Sequence, residues 1–230
     1  MLRALSLAIG QLPDPAFRAV LWRSVGLSLL VFIAIGAGAW FGLSRVPRFE
    51  TEWLNAVVAL VSGLGLLFVM ALVFPAVATA MVGLFLDDIA AAVEARHYPA
   101  DPPGRPLPFV TALVTGLRFL ALVIGLNLLI LPLYLLFIWL PPINLVIFYV
   151  LNGYLLSREY FELAAGRHAE RAVQHRLWRR HRGRLVADGV LVALGLTVPI
   201  VNLLMPLVAT AAMVHEFKAL QAADRAAGPR

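Results

Sequence analysis

The chain alternates apolar blocks with short polar or basic interruptions, and block length decides what each block can be. Residues 24–43, SVGLSLLVFIAIGAGAWFGL, form 20 positions without a charge, enough for one helical crossing of a bilayer. Residues 54–86 form a second and longer block. A proline inside a helix removes one ladder bond, so Pro75 predicts a kink there. Helical spacing of apolar positions continues through DDIAAAVEARHYP, which predicts that this helix extends into water to about residue 97. Pro99, Pro102, Pro103, Pro106 and Pro108 then predict a loop over 98–108.

The remaining apolar blocks are different. After 119–140, interrupted by Pro132, come 143–157, 185–198 and 200–214. Each of the last three is short: about 16 residues separate Pro142 from Glu159, and a helix of that length rises only ~24 Å against a hydrocarbon core of ~30 Å. The junctions at Leu140-Pro141-Pro142 and Val198-Pro199 contain no polar loop. A turn of proline and apolar residues can stay inside a bilayer where protein covers its free carbonyls. The pattern therefore predicts two helical hairpins, each entering the membrane part way and returning to the same side. The junctions also match each other. Asn144 follows one proline pair and Asn202 the other proline, and the return segments end at Arg158-Glu159-Tyr160 and His215-Glu216-Phe217, as a duplicated hairpin would.

These elements add up to an all-α integral membrane protein, one membrane domain over residues 1–230. It has two long transmembrane helices (24–43 and 54–86) and two half-penetrating helical hairpins (119–157 and 185–214). Residues 1–23 form a cytoplasmic or interfacial arm, 158–184 a basic cytoplasmic helix, and 215–230 a tail expected to fray into water.

Composition strengthens this picture. The chain is 61% hydrophobic and 14% charged, against roughly 25% charged in soluble domains, and its mean hydropathy is +0.87. The net charge is +6, and Lys218 is the only basic residue besides histidine that is not arginine. The arginines lie between apolar blocks, which favours roles in orientation and lipid contact over nucleic-acid binding. The loop SRVPRFETEW balances Arg45 and Arg48 against Glu50 and Glu52, whereas Arg3, Arg18 and Arg23 precede the first block and eight arginines occupy 158–184. That asymmetry places both termini in the cytoplasm and the 44–53 loop outside. The early run LSLAIG is short and no small-residue cleavage site follows, so the first membrane segment is expected to be retained. There is no cysteine, hence no disulfide or thiolate metal site. No P-loop, nucleophile elbow or H-E-x-x-H occurs, so neither an enzyme nor a cofactor is expected, and transport would be passive, ion-coupled or powered by a partner.

Chemistry concentrates in a few places. Arg18 follows Pro13 and Pro15; a helix starting near Ala16 would offer amides and a guanidinium to an oxyanion, or the arginine would simply meet lipid phosphate. Arg158 and Glu162 are spaced to pair on one helix face beside Glu159, as a gate or as a headgroup-level ion pair. Asp188 is a carboxylate in an apolar run, which faces protein or water. His168, His175 and His181 lack metal-ligand spacing. Gly38 and Gly42 could admit a neighbouring helix.

Several stretches resemble the CysZ family of bacterial sulfate permeases within the etoposide-induced-protein superfamily: LPDPAFRAVLWRSVGLSLL, FLDDIAAAVEARHYP, LNGYLLSREYFELAAGRH and TVPIVNLLMPLVATAAMVHEF, in that order along the chain. The resemblance implies an oligomeric inner-membrane protein that supplies sulfate, with an anion site on the arm. The family's glycine falls on Ala16, its hydrophobe on Phe17, its first arginine on Arg18 and its second on Ala19. Glu159 and Tyr160 stand where the family has glutamine and tyrosine, Glu162 where it has aspartate, and His168 matches its histidine. The leading expectation is an inner-membrane permease for sulfate or a related small oxyanion; the alternative is a non-transporting membrane scaffold that remodels lipid.

Overall fold

The computed structural model describes residues 2–45, 50–105 and 109–226, and among these the regular structure is helical throughout. Helix α1 (Leu2–Gly10) is followed by α2 (Pro15–Ser44), α3 (Glu52–Gly83) and α4 (Leu86–His97). Then come α5 (Phe109–Leu136), α6 (Pro141–Gly166), α7 (Arg171–Leu196), the single turn α8 (Pro199–Asn202) and α9 (Met205–Ala226). Arg48, Pro106 and Pro108, which entered the loop expectations, lie outside the described residues.

Pro15 opens α2, at the position where a fixed φ and a missing N–H suit a helix start. The helix therefore begins nine residues before the apolar block does and absorbs part of the arm. α3 runs as one helix across Pro75. The expected water-going extension of α3 is instead a separate helix. The chain turns at Leu84 and Phe85, and α4 lies across the end of the fold, burying Ile89, Ala90 and Val93. A straight continuation would leave that face uncovered.

α9 is the centre of the core. Leu207, Ala209, Ala211 and Phe217 are completely buried, with α1, α4, α6 and α7 packed around them. Phe161 from α6 meets Phe217 edge-on with ring centroids 6.0 Å apart. Burial continues through His215, Glu216, Lys218 and Leu220, so the start of the tail is core rather than a fraying end. His215, Glu216 and Lys218 each meet a partner from a distant part of the chain, Tyr98, Arg184 and Asp101.

The proline junctions behave as turns. α5 ends at Leu136 and Pro141 starts α6. Asn144 donates its side-chain amide to the carbonyls of Tyr134 and Phe137, at 3.2 and 3.1 Å, capping the end of α5. At the second junction Pro199 starts α8. α6 packs most extensively on α7 rather than on α5. The two run antiparallel, and Tyr149 near the start of α6 reaches Thr197 just past the end of α7, 3.3 Å away. Gly153 of α6 lies directly against Gly189 of α7. A Cβ on Gly189 would collide with the carbonyl oxygen of Gly153 and lie 2.9 Å from Ser157 Cβ. Gly38 and Gly42 have nothing within 4 Å of such a Cβ among the described residues, so no described helix packs closely on that pair. α7 bends at His181, whose φ of −115° and ψ of 17° interrupt the helix. The basic stretch 158–184 is thus not one helix: α6 continues to Gly166, a turn follows, and α7 takes the rest.

Among the described residues two helical stretches are long and apolar enough to cross a membrane, Pro15–Gly42 and Leu117–Leu136, and the stretch Glu52–Phe68 of α3 is apolar as well. Their large side chains are exposed, among them Trp40, Phe68, Leu128, Leu129 and Leu136, and Trp139 at the α5–α6 turn is 90% exposed. The fold has two parts as a result. A packed, polar-edged cap is made by α1, α4, α9 and the adjoining ends of α2, α6 and α7, and bare apolar helices run away from it.

Candidate functional site

At the arm, Phe17 is 1% exposed and belongs to the core, while Ala16 and Arg18 remain exposed at the first turn of α2. The Arg18 amide donates to the Asp14 carbonyl at 3.0 Å. The Asp14 carboxylate sits just ahead of the helix, paired with Arg96 of α4. The positive end of α2 thus already faces one carboxylate. The Arg18 side chain has no ion pair among the described residues.

The most heavily bonded charges in the cap are ones that sequence spacing did not single out. Arg167 begins the turn after α6 and is 6% exposed. Its guanidinium donates to both carboxylate oxygens of Glu94, at 3.1 and 3.3 Å, and to Asp87 at 3.2 Å. Glu94 also takes His168 Nε2 at 2.9 Å and the Gly104 amide at 3.2 Å. The His168 ring stacks on Phe217 at 5.9 Å. Fork-to-fork geometry of this kind is the strong form of an ion pair. It ties α4, the 98–105 loop and the α6–α7 turn into one unit. Lys218 does the same for α9, reaching Asp101 at 2.8 Å from a buried side chain. Tyr98 OH meets His215 Nδ1 at 2.8 Å.

These buried groups set a pH dependence. Burial raises the Glu94 carboxyl, but the hydrogen bonds from Arg167 and His168 outweigh it and hold the group below its usual range. Burial, with His97 beside it, pushes His215 down to about 4. A depressed carboxylate lends stability above its unfolded pKa that is lost as pH falls through the folded value. A depressed histidine must be charged to match the unfolded chain, and so loses stability as pH falls from 6.5 to about 4. Both effects run the same way. The cap is expected to lose about 3 kcal/mol through His215 alone between those pH values. Melting temperatures of detergent-solubilised protein should fall over that range, and His215→Gln should flatten the fall. An unchanged slope in the variant would contradict this.

Between α5, α6 and α7 lies a cavity of about 600 Å³. Arg118, Arg158, Arg171 and His175 stand around it, with Glu162 and Glu170. Arg158 is paired with Glu162 at 2.8 Å, as the spacing predicted, and Arg171 donates to Thr115 Oγ1 at 2.7 Å. Glu159, next to Arg158, is exposed and does not line the cavity. Asp188 sits elsewhere, with Glu216 at a second, much smaller cavity of about 20 Å³; Arg184 holds Glu216 at 2.6 Å. The site candidates therefore form separate groups: the arm, the cavity with Arg158 and Glu162, and the α7–α9 seam with Asp188. The three histidines also separate. His168 is in the cap lock, His175 at the cavity, and His181 at the bend of α7.

The sequence profile of the family described as sulfate transporter CysZ/etoposide-induced protein 2.4 matches residues 4–206. The chain belongs to that family. No curated protein matches the chain. The family match runs from α1 to the first residues of α9, so it takes in the arm, the cap lock and every residue lining the larger cavity. In this CysZ-family chain the 73-residue separation between Glu94 and Arg167 puts the lock beyond the reach of any local sequence period. The available signal was the i, i+7 pair Asp87 and Glu94 on one face of a helix that is otherwise alanine-rich.

Proposed function

We propose that this CysZ-family chain is a multi-pass inner-membrane protein of a bacterium that passes sulfate or a related small oxyanion, as a homo-oligomer and without an ATPase of its own. The family match over 4–206 carries the reading. The structure supports it in two ways. Among the described residues, large apolar side chains stand exposed along α2, the first half of α3 and α5, a surface suited to lipid and far beyond the apolar patches soluble monomers expose. Basic side chains gather at the cap, where α2 and α5 start and α6 ends.

In this reading α2 and α3 cross the bilayer, and α5–α6 and α7–α9 are hairpins that turn at their proline junctions without surfacing. The cap faces the cytoplasm. Arg18, beside Ala16 and Phe17, supplies the positive charge that draws an oxyanion to the arm. Arg158, Glu159 and Glu162 at the end of α6, and Asp188 on α7, are the elements that gate its path. Uptake of labelled sulfate into vesicles holding the purified protein tests the proposal.

A further inference from the structure

The cavity between α5, α6 and α7 combines two chemistries that a bare oxyanion does not need together. Its basic side is open. Arg158 is occupied by Glu162, but among the described residues Arg118 meets no carboxylate, and Arg171 bonds only the neutral Thr115. The N-terminus of α7 opens at the same place. Its N-cap is Glu170, whose side chain makes no cap hydrogen bond, so the first amides of a 26-residue helix remain available to an anion. Glu170 is the one carboxylate there without an ion pair among the described residues, and it is exposed. Trp178, 8% exposed, also lines the cavity, with its ring edge-on to Tyr154.

The other side is apolar. Phe119, Leu122 and Phe161 line it, and farther along the same face of α5 the exposed Leu129 and Leu133 continue the surface. The volume of about 600 Å³ is that of pockets for drug-sized molecules, roughly 300–1,000 Å³, far more than a tetrahedral oxyanion fills. A ligand that uses all of this has an anionic phosphate, a polar linker and a greasy tail.

We infer that the cavity seats the headgroup of an anionic phospholipid. Its phosphate meets Arg118, Arg171 and the start of α7, and its acyl chains lie along α5. Basic pockets between helices at a membrane's cytoplasmic side bind anionic headgroups in this way. The sparse contact between α5 and α6 gives the lipid a structural role, as the material that joins α5 to the rest of the fold. The inference rests on the membrane part of the proposed function and not on transport.

The test is native mass spectrometry of the full chain in detergent, titrated with phosphatidylglycerol or phosphatidylcholine, with and without inorganic sulfate. Phosphatidylglycerol is expected to bind at least about 10-fold more tightly than phosphatidylcholine. Each arginine beside the headgroup is expected to contribute about a factor of five, so Arg118→Ala with Arg171→Ala should weaken binding about 25-fold. Arg118→Ala alone removes an exposed side chain with no ion pair among the described residues, is expected to leave the fold intact, and should weaken binding about fivefold, with Arg118→Lys restoring most of it. Sulfate should not displace the lipid. Equal binding of the two lipids, or lipid binding indifferent to both arginines, would overturn the inference. So would sulfate displacing the lipid and itself depending on the same arginines, which would make the cavity an oxyanion site. Sulfate uptake, measured separately, can fail while the lipid site stands, and the reverse.

Discussion

Arg167→Met is expected to destabilise the cap by about 3–5 kcal/mol, the largest effect of any single charge removal in this chain. The reason is asymmetry. A buried ion pair contributes little net stability because both charges lose water, but removing one partner leaves the other buried and unpaired. Glu94 is 7% exposed and would keep only His168 and the Gly104 amide as partners. The 98–105 loop would loosen with it, because the Arg105 amide donates to the Arg167 carbonyl at 2.9 Å beside the guanidinium. Thermal unfolding in detergent should show a large drop for Arg167→Met. Arg158→Met, which removes one half of a pair whose side chains are 33% and 32% exposed, should shift stability by no more than about 1 kcal/mol. Adding Glu94→Gln to Arg167→Met should recover part of the loss, because the buried charge goes. Equal shifts for the two arginines would show that Arg167 is not the lock described.

Gly189→Leu is expected to open the α6–α7 pair at a cost of about 3 kcal/mol or more. Overpacking a core with flexible neighbours costs about 1–3 kcal/mol, but here the obstacle is backbone: the Gly153 carbonyl carbon lies 2.9 Å from where the new Cβ would sit. No rotamer relieves that; the helices must move apart. Gly153→Leu meets Val190 in the same way, with its backbone nitrogen 2.9 Å from the added Cβ. Gly38→Ala and Gly42→Ala meet nothing among the described residues and should be neutral or stabilising by up to about 1 kcal/mol, since alanine is the better helix former. Loss of stability at Gly38 or Gly42 equal to that at Gly189 would mean that the first pair carries a contact this fold does not contain, such as one between protomers.

Block length and proline placement made much of the helix plan legible. Pro141 and Pro199 start helices where the junctions were expected, and Asn144 bonds the carbonyls of the preceding turn because a small amide beside a proline turn has nothing nearer to bond. Arg158 and Glu162 pair because i, i+4 spacing on a helix leaves little choice. What was hidden depended on distance along the chain. The Glu94–Arg167 lock, the Lys218–Asp101 bond and the Gly153–Gly189 contact each join residues far apart in sequence, and no local period reports them. HEFKALQAADRAAGPR reads as a polar tail because its charges stand out, yet His215, Glu216 and Lys218 are buried by partners supplied from Tyr98, Arg184 and Asp101. The break at Leu84 and Phe85 was hidden for the opposite reason. The apolar spacing stays helical across it, and only packing of α4 against α9 requires the turn. At the arm, the pattern marked Arg18 as a charge, but could not tell that the adjacent Phe17 points into the core.

Labelled sulfate uptake into vesicles tests the proposed transport most directly. Vesicles carrying the purified protein should take up sulfate several-fold faster than empty vesicles. Arg18→Ala should lower that rate without lowering the melting temperature, because Arg18 is exposed and carries no ion pair among the described residues. Uptake no greater than in empty vesicles, from protein shown to be folded, would contradict the permease reading and leave the membrane scaffold in its place.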